Sequence, residues 1–402
     1  MSRRSRYMDV PFERAAGFNS KQVMGRASLA SLALRLDSAC FPRAAPMRPH
    51  GKFRGTARPS SRGCPGLIPM RFALLSAALL AALALPASAA ETDPAAKAAF
   101  IAEAGAKYGL TDAEIEGWLA KATYQQSIVN AMSRPAERVK PWKDYRPIFI
   151  TDARVAGGRR FLAEHREALQ KVEDETGVPK QYIVAIIGVE TAYGRITGSF
   201  EVLDALYTLG FHYPKLGNPE REAMRGAFFR DELAQSLLLA REEGIDIPAQ
   251  KGSYAGAMGW GQFMPSSYRA YAKDGDGDGK RDLFGSLPDV FASIANYFIA
   301  HGWEKGSPVV ARATANEGAA FAPPDLEPRY GLAELGEKGF RPAEAQGHDA
   351  PATLVTLEGA EGTEHWLGFR NFYVITRYNR SPMYALAVHQ LADEIIAGDA
   401  AP

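Results

Sequence analysis

Residues Tyr182-Ile183-Val184-Ala185-Ile186-Ile187-Gly188-Val189 form an unbroken apolar run that ends on Glu190. Gly177-Val178-Pro179 breaks the chain ahead of it, so the run predicts a helix over Gln181 to Glu190 with almost no polar face. A helix that is apolar all round must be enclosed by other elements. This chain therefore has to build a large core with that segment at its centre. The carboxyl of Glu190 is then delivered from an apolar interior to wherever Thr191-Ala192-Tyr193-Gly194 opens. Desolvation of that kind makes a carboxyl a usable general acid near neutral pH. The alternative is a helix-terminal Glu paired with Arg195 in solvent, because structural ion pairs also perturb carboxylates.

The flanking sequence supplies the enclosing elements. From Asp93 to about Asp174 the pattern is helical, with apolar residues at three and four spacing in Asp112 to Ala122 and in Ala156 to Val172. Thr111 and Glu114 predict a capping box. Further helices are predicted over Glu201 to Tyr207, Phe228 to Glu243, Ser266 to Lys273 and Pro288 to His301. From Gly306 to Phe372 Pro and Gly recur, and β-prone pieces fall at Pro308 to Ala311, Ala352 to Leu357 and Phe372 to Ile375. The expected fold is mainly α, with a small β-containing subdomain inserted before a last helix, Pro382 to Ala397.

Charge divides the 402 residues into two compositions: 1–69 hold 13 Lys/Arg and 3 Asp/Glu, whereas 91–402 hold 33 against 43, a formal charge of −10. The acidic part excludes nonspecific nucleic-acid binding. Both cysteines, Cys40 and Cys64, precede it, which removes disulfides, Cys-ligated zinc and thiol nucleophiles from 91–402. Between the two parts, Met70-Arg71, the apolar Phe72 to Leu85 and Pro86-Ala87-Ser88-Ala89-Ala90 have the three parts of a secretory signal. This run of 14 residues is shorter than the roughly 20 needed to span a bilayer, and no lipid-accepting Cys follows. Residues 70–90 are thus expected to be a signal peptide cut near Ala89 or Ala90, releasing a monomer to the periplasm with no membrane span. Residues 1–69, rich in Arg, Ser, Pro and Gly, read as a disordered or non-native leader, with Met70 as the true start.

Two further segments carry chemistry. Gly252 to Tyr268 interleaves glycines with Tyr254, Trp260, Phe263 and Tyr268, so backbone can approach a ligand closely while flat rings offer apolar faces to sugars; a tight turn between helices is the plainer reading. The run Asp274-Gly275-Asp276-Gly277-Asp278-Gly279-Lys280-Arg281-Asp282 places acidic oxygens at relative positions one, three, five and nine, a Gly at six and the Lys280 carbonyl at seven. This is the oxygen shell of an EF-hand calcium loop, 274–285, except that Gly285 stands where a bidentate Glu belongs; a distal Asp such as Asp289 would complete it. Trp142, Tyr145, Tyr193, Trp260, Tyr378 and Tyr384 are candidates for a sugar or peptide groove, each singly more at home in a core. His212, His301 and His389 lack metal-ligand spacing and read as structural. No Ser elbow, phosphate loop or dinucleotide fingerprint is present.

Gly188-Val189-Glu190-Thr191 with Tyr193-Gly194-Arg195, then Ser253 to Tyr268, the Asp274 loop and Thr376-Arg377-Tyr378-Asn379 resemble, in order, the lytic murein transglycosylase B family of peptidoglycan-cleaving enzymes. The resemblance runs from about Ala95 to Ile396. It implies a lysozyme-like helical catalytic domain over 91–305, a small β-containing subdomain over 306–372, and a C-terminal segment, 373–402, packing back on the first. It also implies cleavage of the β-1,4 bond between N-acetylmuramic acid and N-acetylglucosamine with no water consumed, leaving 1,6-anhydro ends. Glu190 would serve as the one acid and base, and Ser253 would orient its carboxylate. Tyr145, Tyr193, Gln262, Tyr378, Asn379 and Tyr384 would line the groove. The family has two consecutive Arg where Lys215-Leu216 stand here, so basic contacts are expected from Lys215 or Arg225. Catalysis would need no cofactor, and Ca²⁺ held by Asp274, Asp276, Asp278, Lys280 and Asp282 would be structural. A hydrolytic muramidase on the same frame and a catalytically idle peptidoglycan-binding scaffold are the rival readings.

Overall fold

The computed structural model describes residues 92–134 and 140–398, so the expected leader, signal peptide and cleavage site lie outside the described residues. Seven helices come first: α1 Pro94–Tyr108, α2 Asp112–Leu119, α3 Gln126–Ser133, α4 Trp142–Phe149, α5 Asp152–Glu164, α6 Arg166–Thr176 and α7 Lys180–Thr191. Thr111 caps α2 as a reciprocal box with Glu114, satisfying two amides that would otherwise lack partners. The segment Ala156 to Val172, expected as one helix, is two: His165 leaves helical geometry between α5 and α6.

Every residue of α7 from Tyr182 to Thr191 is buried. It is enclosed by α5, α6, α11 (Leu287–Ala300) and the final helix α14 (Pro382–Ala397), as an all-apolar helix requires. Between α7 and α11 lie a two-residue pairing of β1 (Phe200–Glu201) with β2 (Lys251–Gly252), α8 (Val202–Phe211), α9 (Pro219–Glu243) and α10 (Pro265–Tyr271). Expected from Phe228, α9 instead begins at Pro219, where the Asn218 side chain caps it, and runs for 25 residues. Pro at the first helical position and Asn before it are the start signal that the apolar period understated.

The small sheet is antiparallel, in the order β4-β3-β6-β5: β3 Val310–Ala315, β4 Phe340–Pro342, β5 Thr353–Gly359 and β6 Gly362–Gly368, with a short helix α12 (Leu332–Glu337) between β3 and β4. Alternation splits its two faces. Leu354 and Leu367 join Leu335, Phe340 and Phe369 in a small core of their own, whereas Val355 and Trp366 join the main core. The sheet is thereby seated against the helical body, where β5 meets α4.

Phe372 to Ile375 is not a strand. It lies within α13, Arg370–Tyr378, whose buried face includes Asn371, Phe372, Val374 and Ile375. β-branched and aromatic residues mark burial as much as extended backbone, and here the Asn371 side chain pins the first turn by donating to Glu304 O and Ser307 O. The last helix, Pro382–Ala397, has the bounds read from the sequence.

Candidate active site

Glu190 stands in the last turn of α7 and is 9% exposed. The helix ends in a nested pair of bonds, Ala192 N to Gly188 O at 3.2 Å and Tyr193 N to Ile187 O at 3.3 Å, which satisfy two of its last carbonyls. Ala192 (φ 50°) and Tyr193 (φ 61°) hold left-handed backbone without being Gly. Such conformations cost about 1–2 kcal/mol each and persist where surrounding packing enforces them. Gly194 (φ 75°) follows, and a Cβ there would run into the Trp260 ring. That close approach joins the turn after Glu190 to the glycine-rich segment.

Three phenols lie within electrostatic reach of the carboxylate. Tyr384, in the first turn of α14 and fully buried, donates its hydroxyl to Glu190 Oε1 at 2.6 Å. Tyr145 on α4 is 4% exposed, and its buried hydroxyl has no hydrogen-bond partner. Tyr378 closes α13 and donates to Gly261 O at 2.6 Å. Burial pushes all three phenols above their ordinary pKa, and the charge of Glu190 adds to the effect in each. They therefore stay protonated as donors at any working pH. Next to Tyr378, Asn379 is 6% exposed with its Oδ1 unpartnered. Glu190, Tyr145, Tyr378 and Tyr384 are thus drawn together from four helices, with Asn379 directly after Tyr378 in the chain.

The glycine-rich segment folds as a compact bridge. Met258 and Phe263 exchange backbone bonds at 3.0 Å, and the Ser253 hydroxyl, 2% exposed, accepts the amides of Ala255 (3.2 Å) and Ala257 (3.1 Å). Gln262 is the third non-Gly residue with positive φ (53°) among the described residues, and its amide donates to Thr197 O and Gly259 O, both at 3.0 Å. Sequence reasoning gave no part to Thr191. Its hydroxyl lies 3.1 Å from both Ile187 O and Trp260 O as a shared donor, and accepts Gly194 N at 3.1 Å. A hydroxyl residue at the last position of an otherwise apolar helix was the one signal for it.

Other expected residues make their described contacts outside this cluster. Tyr193 donates to Arg154 O at 2.9 Å, stacks on Phe161 and fills the space over Gly157, Gly158 and Gly188, which commits it to packing under the site. Arg225 stacks over Phe228 and Phe229, and Lys215 is exposed on the loop before α9; no described contact joins either to Glu190. Asp204, an acid that could serve a hydrolase as a second carboxylate, is buried on α8 and accepts Thr123 N (2.7 Å) and Gln125 Nε2 (3.0 Å).

In the acidic loop, carboxylate oxygens of Asp274, Asp276 and Asp289 lie within 4.8 Å of one another. Asp289, on the first turn of α11 and 1% exposed, accepts Gly275 N at 2.7 Å and Asp282 N at 2.6 Å. Asp278 accepts Lys280 N, and Asp282 accepts Phe284 N and Gly285 N, so both are engaged in shaping the turn. The oxygen-only donor set suits a hard divalent cation.

The transglycosylase SLT domain family matches residues 92–393. The chain belongs to that family. It is 40% identical over 298 residues to the membrane-bound lytic murein transglycosylase B of Escherichia coli (strain K12), covering 72% of this chain and 79% of that protein. Soluble lytic transglycosylase SltB1 from Pseudomonas aeruginosa superposes with a TM-score of 0.68 at 48% identity, over 76% of this chain and 99% of its own. The Escherichia coli lytic transglycosylase Slt35 in complex with calcium gives 0.67 at 39% identity, over 75% and 93%. As a member of this transglycosylase family, the chain is a lytic murein transglycosylase, an enzyme acting on peptidoglycan, with the mainly helical lysozyme-like fold and its small antiparallel sheet.

Proposed function

We infer that Glu190 is both acid and base in a non-hydrolytic cleavage of the bond between N-acetylmuramic acid and N-acetylglucosamine. The observation that carries the reading is a buried carboxylate that accepts the Tyr384 phenol, with Asp204 bound elsewhere. Protonated Glu190 gives its proton to the glycosidic oxygen as the C1–O bond breaks. The resulting carboxylate then takes the proton of the muramic C6 hydroxyl as that oxygen bonds to C1, closing a 1,6-anhydro ring. The substrate's own N-acetyl oxygen shields C1 between the steps, which dispenses with a second carboxylate. Tyr384 stabilises the carboxylate when it forms, since a hydrogen bond to a charged partner is worth about 1.5–3 kcal/mol. The unpartnered Tyr145 hydroxyl and Asn379 Oδ1 are groups that sugar hydroxyl and N-acetyl atoms would satisfy. In this reading Ser253, whose hydroxyl accepts two amides, orients the Glu190 carboxylate, as the family resemblance implies.

Glu190→Gln preserves shape but transfers no proton, so release of soluble muropeptides from purified sacculi should fall by about 10²–10⁴ with the circular dichroism spectrum unchanged. Activity near that of the wild type would overturn the assignment.

In the same reading a calcium ion sits between Asp274, Asp276 and Asp289 and stabilises the fold without joining the chemistry. The domains divide at about 305 and 372. The signal-like segment 70–90 exports the enzyme to the periplasm; among the described residues no helix is long and apolar enough to cross a membrane. N-terminal sequencing of the mature protein tests this, and a start before Met70 would contradict it.

A further inference from the structure

Helix α14 does more than carry Tyr384. One and a half turns further on, two adjacent side chains tie it to the two helices that bring Glu190 and Tyr145 into the site. The His389 Nδ1 lies 2.8 Å from the Tyr182 hydroxyl, and Tyr182 is on α7 with Glu190. The other ring nitrogen, Nε2, is 3.2 Å from Asp393 Oδ2. A carboxylate opposite Nε2 places the ring proton there, which leaves Nδ1 to accept from the phenol. Gln390 Oε1 accepts from Arg146 Nε at 2.6 Å, and Arg146 follows Tyr145 on α4. Farther along, the Glu394 carbonyl accepts two bonds from Arg159 of α5, at 3.1 and 2.7 Å.

At 3.6 residues per turn, His389 and Gln390 lie about 140° and about 240° round the axis from Tyr384 and about 8–9 Å along it. The Tyr384–Glu190 bond and the two ties therefore grip α14 at three well-spread angles. Apolar packing alone leaves small rotations and slides of a helix inexpensive, because it is non-directional, whereas hydrogen bonds lose strength steeply with angle and distance.

We propose that His389 and Gln390 are positioning residues. They fix the rotation and axial register of α14 against α7 and α4, and so hold the Tyr384 hydroxyl on the Glu190 carboxylate. Neither touches substrate. The inference rests on the reading of Glu190 as acid and base.

Tyr182→Phe removes only a hydroxyl and keeps the ring packed against Trp303 and His389, and Gln390→Met keeps volume while losing the acceptor. The test is a double-mutant cycle in kcat on soluble glycan strands. In the wild-type background the pair should lower kcat about 10-fold with KM changed less than 2-fold. In a Tyr384→Phe background it should lower kcat less than 2-fold, because the hydroxyl it positions is gone. Melting temperatures of all four proteins are measured alongside; the single Tyr182→Phe, with an expected 3-fold loss of kcat, replaces the pair if the pair melts below assay temperature. An equal loss in both backgrounds, a loss confined to KM, or no loss of kcat would overturn the proposal. Full activity of Glu190→Gln would overturn the underlying reading as well, whereas an inactive Glu190→Gln with an additive cycle refutes the positioning role alone.

Discussion

Tyr384 donates its hydroxyl to Glu190 Oε1 at 2.6 Å, joining two buried side chains that lie 194 positions apart in sequence. The bond is made in a site that excludes most water, where a donor aimed at a carboxylate is charge-assisted and needs no reorganisation. In the proposed reaction it stabilises Glu190 after the proton has left for the glycosidic oxygen.

Tyr384→Phe should accordingly lower kcat about 10- to 100-fold, the equivalent of losing about 1.5–3 kcal/mol, with little change in KM. Steady-state kinetics on soluble glycan strands measures both. A change confined to KM would place Tyr384 in substrate binding and remove it from the chemistry.

Where local pattern decides structure, the sequence foretold it well. The apolar run ending in Glu190 became the enclosed helix α7, Thr111 and Glu114 became a capping box, and Pro382 and Ala397 bound the last helix. Local pattern failed where burial and secondary structure send the same signal: Phe372 to Ile375 is aromatic and β-branched because it is buried, and it is helical. The site divides in the same way. Its motifs could be read one by one, but that Tyr384 meets Glu190 while Tyr193 turns to the Arg154 carbonyl depends on how helices distant in sequence pack. The glycine before Asp276 shows the limit most plainly: Gly275 N binds Asp289, 14 residues on, a contact that loop spacing alone only hints at.

The loop makes a prediction about stability. A ligand bound only by the folded state adds about 2.7 kcal/mol at a hundredfold excess over Kd, so calcium should raise the melting temperature by several degrees, and chelator should reverse it. Asp274→Asn combined with Asp289→Asn should erase the rise while leaving cleavage of sacculi measurable. A wild-type melting curve that calcium and chelator leave unmoved would refute the ion site.

Glu232 predicts a pH dependence. Burial on α9 pushes its carboxyl up to about 7 from an ordinary 4.5, despite the bonds it accepts from Ser266 N (2.9 Å) and Ser266 Oγ (2.6 Å). Between those two pH values the folded state keeps a proton that the unfolded chain has released. The contribution to stability is therefore whole below about pH 4.5 and is lost as pH rises to about 7, by about 3 kcal/mol at 1.36 kcal/mol per pH unit. Glu232→Gln should lose that slope, so the difference between variant and wild-type unfolding free energies, measured by denaturant titration at several pH values, should change by about 3 kcal/mol across the window. A difference that stays constant across the window would show that Glu232 does not titrate there.

The most direct test of the account is the fate of water in the reaction. A hydrolase on this frame would need a second group to hold water opposite the acid, whereas a tethered C6 hydroxyl has a high effective concentration that bulk water lacks. Purified sacculi digested by the enzyme in ¹⁸O-labelled water should release muropeptides that carry no label, are one water lighter than hydrolytic products, and resist borohydride reduction at the muramic end. Muropeptides that incorporate ¹⁸O and take up borohydride would contradict the intramolecular attack, and with it the role assigned to Glu190 as the base of the second step.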